Sequence, residues 1–144
     1  MSELNIVLGG EQELKEIFGK LTTATDSKAI LDESGALILN NIRDRFLAQI
    51  NPEGQAWEQS KAAMRRAKTG RGGGTLYDTG RLFQSLQLSD DGPDGRRIGT
   101  NIAYAGFVNY GTLQIPPRIF MDFNAQDVEL VTKLIVTRIK KAFA

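Results

Sequence analysis

Residues 76–102 read LYDTGRLFQSLQLSDDGPDGRRIGTNI, and this stretch decides between an all-helical chain and a mixed one. Leu82, Gln84, Leu86 and Leu88 alternate along the chain, as residues on one face of a strand do. Ile98, Thr100 and Ile102 repeat that alternation on the way back. Between them Ser89-Asp90-Asp91-Gly92-Pro93-Asp94-Gly95 is turn chemistry. It is longer than a two-residue hairpin turn, so the tip is expected to project. The spacing predicts an antiparallel hairpin near the middle of the chain.

Helical periodicity flanks it on both sides. Across residues 26–50, Leu31, Gly35, Ile38, Ile42 and Phe46 recur at intervals of three and four, which is one face of a long helix. Asp26 or Ser27 supplies a capping oxygen at its start, and Asn51-Pro52 ends it. Gly35 costs about 1 kcal/mol against alanine in a helix interior, so either something packs closely against it or the helix begins after it. After Asn124, a cap residue, a last helix turns Val128, Val131, Leu134 or Ile135, and Ile139 inward. Its cations Lys133, Arg138, Lys140 and Lys141 gather toward the C-terminal end, where they complement the helix dipole. Shorter elements are a strand through Leu4, Ile6 and Leu8 closed by Gly9-Gly10, a two-turn helix over 11–21, and a short helix within 57–68. A further short helix over 103–110 stops at Gly111, and Pro116 and Pro117 hold the following segment extended. The expected fold is α+β, one domain over 1–144, with long helices packed on a small antiparallel sheet and a projecting hairpin. The segment 69–75, with its run of glycines, reads as a flexible basic loop.

The chain has 144 residues, 41% hydrophobic and 24% charged, with neither cysteine nor histidine. That composition builds one core and removes disulfides, Cys/His zinc sites, thiol nucleophiles and imidazole bases. No basic and apolar leader opens the chain, and no window approaches the roughly 18 apolar residues of a membrane span. The expectation is a protein assembled in the cytoplasm, with no membrane contact. The net charge of +1 is unevenly spread: residues 1–60 carry five cations and ten acids, whereas 61–81 carry six cations and one acid. An acidic third and a basic stretch suit self-association between copies or contact with a polyanion.

Several motifs fall to their spacing. Gly72-Gly73-Gly74 is followed by Thr75 rather than by the Gly-Lys pair of a phosphate-binding loop, and no dinucleotide fingerprint is completed. Asp90, Asp91 and Asp94 lack the ligand spacing of a calcium loop. Ser85 and Lys61 have no oxyanion site or nucleophile elbow around them. No enzyme activity, cofactor or metal is expected. Lys61, Arg65, Arg66, Lys68 and Arg71, with Arg81 beyond them, could neutralise about four or five phosphates. No aromatic residue between Lys61 and Arg71 offers a stacking platform for single strands. The basic stretch therefore reads as an exposed solvated face, a sequence-nonspecific DNA contact, or a partner for the acidic third of a neighbouring copy.

The order of short motifs resembles the Mu-type phage virion morphogenesis family of tail completion and head–tail joining proteins. The residues that carry the resemblance are Asn51-Pro52-Glu53-Gly54-Gln55-Ala56-Trp57, then Leu76-Tyr77-Asp78-Thr79-Gly80-Arg81-Leu82 with Ser85, Ile98-Gly99-Thr100, Tyr104-Ala105, Gly111 and Pro117-Arg118-Ile119-Phe120. They span about half the chain. The resemblance implies a non-enzymatic structural protein at the neck or tail end of a tailed phage. Such a protein forms a ring of six or twelve copies on portal, connector or tail-tube proteins. DNA passes through the channel of that ring without sequence-specific contact. A closed ring needs two different surfaces on each subunit. Lys61, Arg65, Arg66, Lys68, Arg71, Arg81 and Arg118 are the candidates for subunit-interface or channel residues, and Trp57, Thr79, Gly80, Ser85, Gly99, Thr100, Tyr104, Gly111, Pro117 and Phe120 for structural ones.

Overall fold

The computed structural model describes residues 3–7 and 27–142. Its elements in chain order are β1 (Glu3–Val7), α1 (Ser27–Ala48), α2 (Lys61–Lys68), α3 (Arg81–Ser85), β2 (Gln87–Asp90), β3 (Gly95–Gly99), α4 (Ala105–Tyr110) and α5 (Ala125–Ala142). The fold is α+β. The expected two-turn helix over 11–21, the Gly9-Gly10 stop and an Asp26 cap lie outside the described residues.

The three strands form an antiparallel sheet in the order β1-β3-β2. Leu4 stands opposite Ile98, and Ile98 opposite Leu88, so the central strand is the return arm of the hairpin. The connection, residues 91–94, is shorter than the segment read as turn from the sequence, because pairing continues to Asp90 and resumes at Gly95. The Asp91 amide donates to the Gly95 carbonyl at 3.1 Å, and Gly92 takes a positive φ of 78° to close the turn.

The alternation through Leu82, Gln84, Leu86 and Leu88 is only half strand. Residues Arg81–Ser85 are a helical turn and the strand begins at Gln87. Leu82 and Leu86 are four residues apart, so they satisfy a helical repeat as well as a two-residue one, and both are buried. Backbone geometry settles the choice: Gly80 adopts φ +80°, and its carbonyl accepts the Gln84 amide at 2.8 Å. On the return side Ile98, Thr100 and Ile102 are all buried, yet only Ile98 lies in β3.

The face read for α1 is the one buried: Leu31, Gly35, Ile38, Ile42 and Phe46 all turn inward. Gly35 is the point of close approach, since a Cβ there would meet Leu88 Cδ1 of β2 at 2.7 Å. The helix stops at Ala48, and Gln49 follows with φ +59°. Phe46 is the hub of the core, with ring centroids of Trp57, Phe83 and Phe120 at 5.3, 5.6 and 5.5 Å. Each such pair adds about 0.5–1.5 kcal/mol beyond the area it buries. Trp57 also donates its Nε1–H to the Ile119 carbonyl at 3.2 Å.

Asn124 caps α5 as expected, through a reciprocal pair: the Asp127 amide donates to Asn124 Oδ1 at 2.8 Å, and the Asn124 amide to Asp127 Oδ2 at 3.1 Å. The inward face, however, starts at Asp127 rather than Val128, which is half-exposed. The cause is a carboxylate anchor: both Asp127 oxygens accept from Arg45 Nη1 at 3.1 and 3.0 Å, and Oδ1 also accepts from Asn41 Nδ2 at 2.8 Å. That cluster fixes the rotation of α5 on α1. Farther along the pair, Arg138 bonds Glu33.

Candidate functional site

The basic stretch folds into two parts with different roles. Ser60 caps α2 by accepting the Ala63 amide at 3.0 Å, and Ala63 is the buried contact of this short helix. Spacings of four and three place Lys61, Arg65 and Lys68 on one stripe, and all three are exposed. No ion pair to any of them occurs among the described residues. Arg81, at the start of α3, is likewise exposed.

Arg66 turns the other way. Its Nη2 donates to the Gly74 carbonyl at 2.7 Å, and its Nε lies 3.8 Å from Asp78 Oδ1, toward which Arg71 Nη2 also points at 3.6 Å. The far end of the 69–75 loop is thereby fastened. Thr75 is buried, its amide donates to Gln49 Oε1 at 3.1 Å, and its hydroxyl accepts the Ser60 amide at 3.1 Å. A Cβ on Gly73 would stand 2.0 Å from the Tyr77 carbonyl oxygen, while Gly70 and Gly72 face open space. The four glycines therefore divide into two that face solvent, Gly70 and Gly72, and two that leave no room for a side chain, Gly73 and Gly74.

Arg118 is not a surface residue. It is 5% exposed and donates Nε to the Glu58 carbonyl at 2.7 Å, while its amide bonds the Val108 carbonyl. Of the residues expected to be structural, Trp57, Gly80, Thr100 and Phe120 are buried, whereas Tyr104, Thr79 and Pro117 are exposed. Ser85 Oγ bonds the Leu82 carbonyl and Thr100 Oγ1, both at 2.6 Å, and ties the end of α3 to the end of β3. Gly99, at the close of β3, pairs with Glu3 and Gln87. Gly111 has φ +77°, and a Cβ there would meet Pro117 N at 2.8 Å. Phe120 sits in the core.

A recess of about 300 Å³ opens between α2, α3, α4 and residues 115–118, with Arg66, Arg81, Arg118, Asp78 and Tyr104 among its walls. Beside it, α4 and the loop after it expose Tyr104, Phe107, Tyr110, Leu113 and Ile115. A second group of exposed apolar residues, Leu47, Phe123 and Val128, lies at the end of α1 and around the start of α5.

The acidic third spends part of its charge inside the chain, and among the described residues none of these ion pairs reaches the basic stretch. Asp32 accepts from Arg96 Nε at 2.7 Å and from Lys28 Nζ at 2.7 Å, and Glu33 pairs with Arg138. Hydrogen bonds from Lys28 and Arg96 hold the Asp32 carboxyl below its ordinary value of 3.8, and the bond to Asp32 raises Lys28 above its ordinary 10.5.

Sequence reasoning passed over three residues that organise this region. Asn109 is buried, and its Oδ1 accepts the amides of Phe120 at 2.9 Å and Met121 at 3.0 Å. Asp127 and Gln49 play the parts described above. For Asp127 a signal existed in Asn124-Ala125-Gln126-Asp127, which has the spacing of a reciprocal helix cap. Asn109 and Gln49 act on backbone groups distant in the chain, and nothing in their local sequence marks them.

Among the described residues no group of acids could hold a metal ion, and no helix is long and apolar enough to cross a membrane. The described surface of this α+β chain carries exposed apolar and basic residues. In comparison with family models, residues 10–140 match the phage virion morphogenesis family, and the chain belongs to it. The membership points to a structural role in making a phage particle rather than to catalysis. No curated protein and no solved structure matches the chain.

Proposed function

We propose that this protein is a structural ring subunit at the head–tail junction of a tailed phage, closing the tail tube or extending the head connector around the DNA channel. The observation that carries the reading is the pair of exposed apolar groups on different elements, Tyr104 to Ile115 around α4 and Leu47 with Phe123 and Val128 around α1 and α5. Two unlike surfaces on one chain are what a head-to-tail contact uses, and a rotation that closes makes a ring. Family membership supports the virion setting. Portal, connector or tail-tube proteins would be the flanking partners, and six or twelve copies the ring sizes to look for.

Light scattering and native mass spectrometry of the purified chain test the ring, and electron microscopy of phage tails made without the protein tests its place. A chain that stays monomeric at every concentration and does not add to tails would overturn the proposal.

The exposed stripe Lys61, Arg65, Lys68, with Arg81, favours a second reading, direct sequence-nonspecific binding to DNA. Four exposed cations set a salt slope of about −3.6 in log K against log salt. Fluorescence anisotropy with duplex DNA distinguishes the two readings: tight binding by a strict monomer selects the second.

A further inference from the structure

The recess between α2, α3, α4 and residues 115–118 carries a charge pattern that the described chain leaves incomplete. Arg66, Arg81 and Arg118 line it, and Asp78 is the one carboxylate among the lining residues. Arg118 is 5% exposed, and the one hydrogen bond of its side chain among the described residues uses Nε, toward the Glu58 carbonyl. The two terminal nitrogens of its fork are left over. Arg66 Nε is buried with no hydrogen-bond partner. A planar guanidinium fork matches a carboxylate in two-point contact.

The shape selects a protein carboxylate over a nucleic-acid phosphate. Arg118, 5% exposed, lines a recess of about 300 Å³, which a side chain at a loop tip can enter and a duplex cannot. Among its exposed walls are Tyr104 and Ile115 beside Arg81, and arginine next to aromatic residues is the composition of protein–protein contacts.

The same chain offers an occupant of complementary charge. Residues 90–94 at the end of the β2–β3 hairpin are all exposed and include Asp90, Asp91 and Asp94. Asp90 lies 3.3 Å from Arg96 and Asp91 3.5 Å from Arg97, whereas Asp94 has no ion pair among the described residues. We propose that the recess is a carboxylate receptor that takes the acidic hairpin tip of a second copy of this chain, Asp94 against Arg81 and Arg118. The contact is head-to-tail, tip of one copy into recess of the next, and so repeats around a closed assembly. It rests on the ring reading and names the side chains that make the ring.

The test is charge exchange, scored by sedimentation velocity and light scattering. Arg81 and Asp94 are both exposed, so their replacement leaves the core intact. Arg81→Glu and Asp94→Arg are each expected to weaken self-association at least tenfold, and the double variant R81E/D94R to regain most of it. As a second measurement, Gln84→Cys and Pro93→Cys chains, each exposed at that site and otherwise free of cysteine, are mixed under oxidation. A disulfide between the two kinds of chain is expected. Single variants that assemble as the wild type does overturn this proposal and leave the ring reading standing. Disassembly without rescue in the double variant, and without the mixed disulfide, also overturns it. Loss of duplex DNA binding in R81E with self-association unchanged overturns it in favour of a phosphate site. A wild-type chain that never associates, alone or on tails, removes the ring reading and this proposal together.

Discussion

Replacing Asp127 by alanine should unseat the last helix, and the size of the loss follows from what the carboxylate holds. Its side chain is 2% exposed and its partner Arg45 11%. The two oxygens accept from Arg45 Nη1, from Asn41 Nδ2 and from the Asn124 amide. Removing one partner of a buried ion pair costs about 3–5 kcal/mol, because the other charge stays behind without compensation. The lost cap is a component of about 1 kcal/mol at the start of α5. For a domain of this size each kcal/mol lowers Tm by about 2–4 °C, so D127A should melt roughly 10 °C lower. The chain's single tryptophan, Trp57, is buried against Phe46, and its fluorescence in a urea titration reports the same transition. Replacing both charges, in R45M/D127L, should recover more than half of the loss, since an apolar pair of similar volume leaves no orphaned charge. A D127A chain within about 1 kcal/mol of wild type, or a double variant as unstable as the two single losses added, would refute the argument that α5 is anchored by a buried pair.

Two more outcomes follow from particular contacts. Gly73→Ala should destabilise the chain by about 2 kcal/mol, from the positive φ of 84° and the 2.0 Å approach to the Tyr77 carbonyl, while Gly72→Ala in open space changes Tm little; parallel thermal melts compare them. Asp32 is more acidic folded than unfolded, so the unfolded chain takes up its proton first as pH falls, and stability is lost from about the ordinary carboxylate range downward. Urea midpoints between pH 5 and 3 should therefore fall less steeply in Asp32→Asn than in wild type.

The helices were legible because each depends on a repeat that local sequence displays. Leu31, Gly35, Ile38, Ile42 and Phe46 mark one face of α1 whatever packs on it, and the burden of Gly35 announced a close neighbour that proved to be Leu88. Leu82 through Leu88 misled because positions four apart fit both periods, and the deciding information was the left-handed turn at Gly80. Val128 was read as inward on apolarity alone. The rotation of α5 is set instead by Arg45, a residue 82 positions away. For the candidate surface, the basic composition of 61–81 was plain, but which cations face solvent was not: Arg66, and beyond that stretch Arg118, are turned onto carbonyl groups of the chain itself.

By itself the sequence determined the α+β class, the hairpin, the capped last helix and the chemistries that lack of cysteine and histidine removes. Its ordered short motifs also carried the resemblance to virion morphogenesis proteins. Those features are local or compositional, so they survive without knowledge of any neighbour. Tertiary structure alone decided that the glycine loop is fastened at one end, that Arg118 lines a recess, and that α4 turns an aromatic row to the outside. Each of these depends on which distant segment reaches a given side chain first, and burial and hydrogen bonding are settled only when the chain has closed on itself.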